Sequence, residues 1–308
     1  MNQLHIAVVG NCQSAALARA IRFFVPGSTV QVFTLDELPG RFAGSEAMLA
    51  ELDKYGLVVA QPYGPDHFPE LDGARLKTLR DRVIQFPSVE FSAFHPDCIY
   101  VVSHRGGLHF VPSPLGDYNS ALALLGYNLG LSVDETVGLF NEDVYERAGY
   151  FRVWGLSEEV LLGAGRAVGF PIERLYHSWM RRGCFMHSVN HPKLFVIADV
   201  AGALLEQGGI PMVCRSVENH LPDQALFSAV WPIYPEIGRR MGLEGTYLFK
   251  KPTVSDEQSP IITLQEFVCG SYASYREYPP GTMHSMRVDE WMGKSKFIEY
   301  IVGRRSTP

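Results

Sequence analysis

Asn11, Cys12 and Gln13 place a thiol between two carboxamides, with Gly10 before them and Ser14 after. A thiol in such company suits nucleophilic acyl transfer or a place in a cofactor cradle. The preceding HIAVVG is a short β-branched apolar run, and the following SAALARAIRFF carries apolar residues at helical spacing. The stretch therefore predicts strand, tight turn and helix, with Cys12 at the amino end of the helix. Unpaired backbone N–H groups and the positive end of the helix dipole stabilise a thiolate, an oxyanion or a phosphate there. Gln13 can donate to an oxyanion, and Asn11 or Ser14 can cap the helix and line a cofactor site. The competing reading makes Cys12 a small packing residue under the first helix.

Two further stretches concentrate groups that bind or transfer protons. FSAFHPDCIYVVSHRGG, residues 91 to 107, holds His95, Asp97, His104, Arg105 and Gly106 around one short strand. Proline makes the His95-Pro96-Asp97 loop rigid, so an imidazole and a carboxylate are presented together as candidates to orient a substrate. His104 is a candidate proton acceptor, while Arg105 and Gly106 offer guanidinium and open backbone to a phosphate. GCFMHSVNHPKLFVIADVAGAL, residues 183 to 204, holds His187, Asn190, His191 and Lys193 just before a long apolar helix. His191, held out of helical geometry by the following proline, is the first candidate base. His187 and Asn190 are candidates to touch substrate, and Lys193 is a candidate to hold phosphate. His187 and His191 are four apart, but Asn-His-Pro opposes one continuous helix, so a metal site is not expected. Lys250 and Lys251 complete the candidate phosphate ligands.

These residues need elements to hold them. STVQVFTL (28 to 35), GLVVAQP (56 to 62) and RVIQFP (82 to 87) read as strands after the first, with helices at 45 to 54 and 71 to 82. Strand and helix alternating over about 100 residues predict a parallel sheet with right-handed crossovers, in which ligands bind beyond the carboxyl ends of the strands. From residue 116 the periodicity turns helical, at 117 to 128, 132 to 146, 156 to 168, 172 to 181, 193 to 207 and 222 to 241. Two extended or loop-like stretches, GTYLFKKPTVSDEQSPIITLQEF and SYREYPPGTMHSM, come later. LYHSWM and SAVWPIYPEI read as core. The expected fold is α/β, with an α/β subdomain over 1 to 115 and a mainly helical, loop-rich part over 116 to 308, together one compact unit.

The composition narrows the function. With 308 residues and 46% of them apolar, a large core is available. A formal charge of −6 opposes general nucleic-acid binding, which needs a broad basic surface. No apolar run reaches the ~20 residues of a membrane span, and the start has no basic leader, so a soluble cytoplasmic protein is expected. Five scattered cysteines without a C-x-x-C pair suggest neither a disulfide framework nor a zinc site. Neither G-x-G-x-x-G nor a P-loop is present.

GNCQS after the first strand, FSAFHPDCIYV, and NHPK before a helix follow one another in the order that resembles the WcbI family of capsular polysaccharide biosynthesis proteins. The resemblance spans essentially the whole chain. It implies a cradle-shaped, mainly helical fold incorporating a subdomain of about 100 residues, and a deep coenzyme A pocket. It also implies acetyl transfer from acetyl-coenzyme A to a sugar of a capsule precursor, alongside other capsule biosynthesis proteins. The first motif is also similar to the Gly-Asp-Ser element of SGNH hydrolases, with Cys12 in the serine's place. Two alternatives stay open: a Cys-dependent esterase or thioesterase, and a non-catalytic protein that binds coenzyme A or a glycan within an assembly.

Overall fold

The computed structural model describes residues 4–62, 82–104, 107–253 and 260–303. The expected helix at 71 to 82 lies almost wholly outside them, as do Arg105 and Gly106. The fold is α/β: a four-stranded parallel sheet near the amino end, followed by a principally helical remainder. The chain alternates between two compact units. One comprises Met1–Glu90, Glu158–Phe185 and His191–Gln224; the other comprises Phe91–Ser157, Met186–Asn190 and Ala225–Pro308. Among the described residues no helix is long and apolar enough to cross a membrane.

In the first unit, β1 (His5–Gly10), β2 (Thr29–Thr34), β3 (Leu57–Ala60) and β4 (Val83–Gln85) lie in the order β2-β1-β3-β4. All three pairings are parallel. β1 is central, which explains its unbroken apolar run: a strand covered on both faces has no solvent side to make polar. Ala7 and Val9 pack with Phe33, Met48, Leu52, Val58 and Ala60, while Ile6 and Val8 are fully buried as well. The chain leaves β1 for β2 on one side and returns to β3 on the other. The carboxyl ends of β1 and β3 therefore form a topological switch point, where sheets of this kind bind ligands. Helix α1 (Ser14–Phe24) follows β1, buries Leu17, Ala18, Ile21 and Phe24, and packs against the helix Leu194–Gln207. The helix Ile172–Met180 belongs to the same unit and buries Tyr176 and Trp179.

The second unit has an aromatic core that includes Tyr145, Tyr150, Trp231, Tyr234, Phe249, Phe267 and Tyr275. Phe249 and Phe267 stack with ring centroids 4.4 Å apart. The core expectation for LYHSWM and SAVWPIYPEI matches the burial of Trp179, Trp231 and Tyr234. Several boundaries differ from the sequence reading. The segment 117 to 128 opens as a strand, Tyr118–Ser120, and becomes a helix at Ala121, where the Ser120 side chain accepts the Ala123 N–H. The segment 132 to 146 is two helices, Val133–Val137 and Glu142–Ala148, each with its own cap. The segment 222 to 241 is not one helix. It contains a short 3-10 turn, Gln224–Phe227, and a helix Pro235–Met241, because Pro232 and Pro235 cannot sit inside a helix. Helices Leu264–Tyr275, Met286–Met292 and Ser295–Gly303 occupy the end of the chain, including ground read as extended or loop. Thr263 and Glu266 form the capping box that starts the first of them, a legible signal that the reading passed over.

Candidate functional site

The residues after β1 form a turn held from several directions. Asn11 is its anchor: its N–H donates to Gln61 Oε1 at 2.7 Å and its Nδ2 donates to Ser88 Oγ at 2.9 Å. Its Oδ1 accepts the Gln13 N–H at 3.0 Å, and its carbonyl accepts the Ser14 N–H at 3.0 Å. Asn11 thus closes a tight turn ahead of α1, whose N-cap position is Gln13 without a side-chain capping bond, so the capping role expected of Asn11 or Ser14 is corrected. Gln13 is spent differently from the expectation. Its Nε2 donates to the Val89 carbonyl at 2.9 Å and its Oε1 accepts the Val89 N–H at 3.1 Å. This pairing copies a β-bridge and leaves Gln13 buried, so the amide fastens the turn to the strand-end segment and the oxyanion role assigned to it is corrected. Gly10 is required by close approach: a Cβ there would come within 2.6 Å of both Gln61 Oε1 and Ser14 Oγ.

Cys12 rises from this anchored turn and is exposed, unlike its buried neighbours Gln13 and Ser14. Its thiol does not follow the simple helix-terminus expectation of a depressed pKa. Although the residue as a whole is exposed, crowding of the sulfur by protein pushes the thiol above its ordinary value, and the carboxylates of Glu90 and Asp36 add to the effect. The backbone N–H groups of Cys12 and Gln13 act in the opposite sense without prevailing. The turn therefore presents a thiol that stays protonated at neutral pH beside the backbone N–H of Cys12, the Gln13 and Ser14 N–H groups being taken by Asn11.

The structure places the other candidates in contrasting settings. His191 and Lys193 lie half-buried in the same unit as Cys12, in the non-helical segment before Leu194–Gln207. That helix has its first N–H, from Leu194, taken by Asp223 Oδ2 at 2.9 Å. In the second unit Asp97 is fully buried and satisfied. It accepts the Tyr150 hydroxyl at 2.5 Å, the Tyr234 hydroxyl at 2.7 Å and the Leu122 N–H at 3.0 Å. His95 is buried with Nδ1 at 3.3 Å from the Pro232 carbonyl, and His187 is buried with its carbonyl taken by the Trp231 N–H. The substrate roles expected of His95, Asp97 and His187 are therefore corrected: these residues build the core. Asn190 is half-buried, donating to the Tyr100 hydroxyl at 2.8 Å and accepting from that of Tyr118. His104 is exposed, its ring 5.7 Å from that of His284. Lys250 is half-buried. Its Nζ reaches the Ser228 and Lys251 carbonyls and the Thr253 hydroxyl at 3.3 to 3.4 Å, and burial lowers its pKa. Lys251 is half-buried beside it.

A family model described as polysaccharide biosynthesis enzyme WcbI matches residues 5–212, a span that begins at β1 and contains the Cys12 turn, Asp97 and His191. The chain belongs to the WcbI family of polysaccharide biosynthesis enzymes. A solved structure of WcbI, described as a novel polysaccharide biosynthesis enzyme, matches with a TM-score of 0.62 and 14% identity, covering 99% of this chain and 100% of that one. That structure is of the native protein in a form without a disulfide bond between coenzyme A and one of its cysteines. At that identity the likeness is one of fold. A comparison with curated proteins finds no match.

Within this WcbI-family fold, the sequence reading missed Gln61, Ser88 and Val89, which together hold the Cys12 turn, and the acids Asp36 and Glu90 that bear on its thiol. Gln61 had a usable signal. It stands one residue past an apolar strand, as Asn11 does, and the rule that places ligands at strand ends applies to both. The others lie in loops whose approach to the turn is a tertiary fact.

Proposed function

We propose that this polysaccharide biosynthesis enzyme transfers an acetyl group from acetyl-coenzyme A to a hydroxyl of a sugar in a capsule precursor. The observation that carries the reading is the exposed Cys12 at the switch point, on a turn whose side chains are consumed in holding it and whose N–H groups face the sulfur. A coenzyme A thiol fits such a place chemically, and the similar WcbI, whose description names coenzyme A together with one of its cysteines, is support by analogy. Lys193, in the same unit, is the candidate to hold a phosphate.

When bound, acetyl-coenzyme A supplies an acyl group activated as a thioester. The backbone N–H of Cys12 receives the oxygen that becomes negative during transfer, since the Gln13 and Ser14 N–H groups are taken by Asn11. His191 takes the proton of the sugar hydroxyl as its oxygen bonds to the acetyl carbon, the C–S bond breaks, and the coenzyme A thiolate leaves and takes that proton back from His191. Cys12, its thiol pushed up by protein crowded around the sulfur and by nearby acids, lines the place of the sulfur and is not itself acylated. The same protonated thiol counts against a Cys-dependent esterase, which needs a thiolate at working pH.

Two measurements test the reading. Coenzyme A at saturating concentration raises the melting temperature by linkage, and raises it more than NADH or ATP at equal concentration. Equal shifts identify a generic anion site instead. With acetyl-coenzyme A and no acceptor, mass spectrometry of the Cys12 peptide finds no added acetyl of about 42 Da. Accumulation of that adduct replaces direct transfer with a covalent route.

A further inference from the structure

Gln61 holds this turn with one end of its amide while the other end is left without a partner among the described residues. It continues the sheet past β3, donating its backbone N–H to the Val9 carbonyl at 2.9 Å. Its side chain crosses to the end of β1, where Oε1 accepts the Asn11 N–H at 2.7 Å. That bond assigns the amide orientation, because the reverse orientation would set one N–H against another. The consequence is a cost. Gln61 is 2% exposed, and its Nε2 finds no partner among the described residues. A buried donor without an acceptor is unfavourable and rare, so its retention calls for a physical reason. Leu or Met would fill the same space without that penalty, but neither could hold the Asn11 N–H. Gly10 adds to the argument, since any side chain there would collide with the Gln61 amide.

We infer that Gln61 is a positioning residue for Cys12, holding the Gly10–Asn11 peptide at the entry to the turn so that the thiol and the N–H of Cys12 meet a coenzyme A sulfur in register. The inference rests on the proposed coenzyme A site. Gln61 acts through Asn11: its Oε1 fixes the N–H, and Asn11 in turn fixes Gln13 and Ser14. The unpaired Nε2 is what this orientation leaves over.

Thiol–disulfide exchange provides the test. The Cys12 thiolate attacks one sulfur of coenzyme A disulfide, a Cys12–coenzyme A bond forms, the original S–S bond breaks, and one coenzyme A thiolate leaves. The same exchange with 2-hydroxyethyl disulfide, small and neutral, gives a reference rate. The ratio of the two rates cancels changes in the thiol's own pKa and reports alignment alone. In the wild type the ratio favours coenzyme A disulfide. In Gln61→Leu, folded by circular dichroism, the ratio falls at least tenfold, and in Gln61→Glu, which keeps an oxygen for the Asn11 N–H, most of it returns. An unchanged ratio in Gln61→Leu overturns the inference, and so does a folded Gln61→Glu that fails to recover, which would assign the effect to Nε2. A wild type with no preference for coenzyme A disulfide sinks the coenzyme A site itself. In that case faster hydrogen exchange at the Asn11 amide of Gln61→Leu still supports the positioning bond, and unchanged exchange refutes it.

Discussion

The Cys12 turn and the Asp97 loop look alike in sequence: each sets a reactive side chain among polar neighbours beside a short strand. In the structure they are opposites. Asp97 lies fully buried with its two carboxylate oxygens receiving three donors, two tyrosine hydroxyls and a backbone N–H. Cys12 stands exposed, its neighbours' side chains committed to the protein, while Gln61 Nε2 and Ser14 Oγ lack partners among the described residues. Complete satisfaction in the core marks a group that holds the fold. At the Cys12 turn the polar side chains of Asn11, Gln13 and Gln61 hold a position rather than a core, and the thiol they hold is left exposed.

That contrast can be broken most severely at Asp97. Asp97→Ala strands the Tyr150 and Tyr234 hydroxyls and the Leu122 N–H, and is expected to cost about 3 to 5 kcal/mol in urea unfolding, the range for breaking a buried charged network. A loss under about 1 kcal/mol would deny Asp97 its structural role. Gln13→Ala comes next. It leaves the Val89 N–H and carbonyl without their partners, an expected loss of about 2 kcal/mol by the same measurement. Little change there would show that water replaces the amide and that Gln13 is free for another role.

Cys12 sharpens the comparison through pH. Because its thiol titrates above the ordinary range, its alkylation by iodoacetamide should climb with pH to a midpoint above that of a free cysteine peptide. Glu90→Gln or Asp36→Asn removes a carboxylate that raises the pKa, so either moves the midpoint down and speeds the reaction at pH 8. A midpoint below the peptide's would restore the thiolate expected from helix geometry. Cys12 should still outpace Cys98, which is buried and whose thiol is pushed well above its ordinary value.

The smallest effect is on the stability of Cys12→Ser, expected within about 0.5 kcal/mol of wild type at neutral pH because the residue is exposed. The sign with pH follows from the raised thiol. The folded chain keeps its proton after the unfolded chain has lost one, so the wild type loses stability as pH rises from the ordinary thiol value to the raised one. Cys12→Ser should be flatter over that alkaline window in parallel unfolding curves. Identical slopes would mean that Cys12 titrates alike in both states.

Much of the sheet was legible because its cause is local. The apolar runs at 5 to 10, 28 to 35, 56 to 62 and 82 to 87 each contain an observed strand, and strand and helix alternation carries its own handedness and binding edge. The late helices were less legible: Met286–Met292 and Ser295–Gly303 are short, and short helices owe their stability to the faces they bury. The sequence by itself determined the α/β class and the place of Cys12 in the turn between β1 and α1, since strand, turn and helix follow from neighbours within a few residues. Only the tertiary structure decided that Gln13 would be spent on Val89, that Asp97 would meet Tyr150 and Tyr234, and that Gln61 would reach Asn11 from fifty residues away. The physical reason is that a polar side chain's role depends on which partners satisfy it and on how much water remains around it, and both are set by segments distant in the chain.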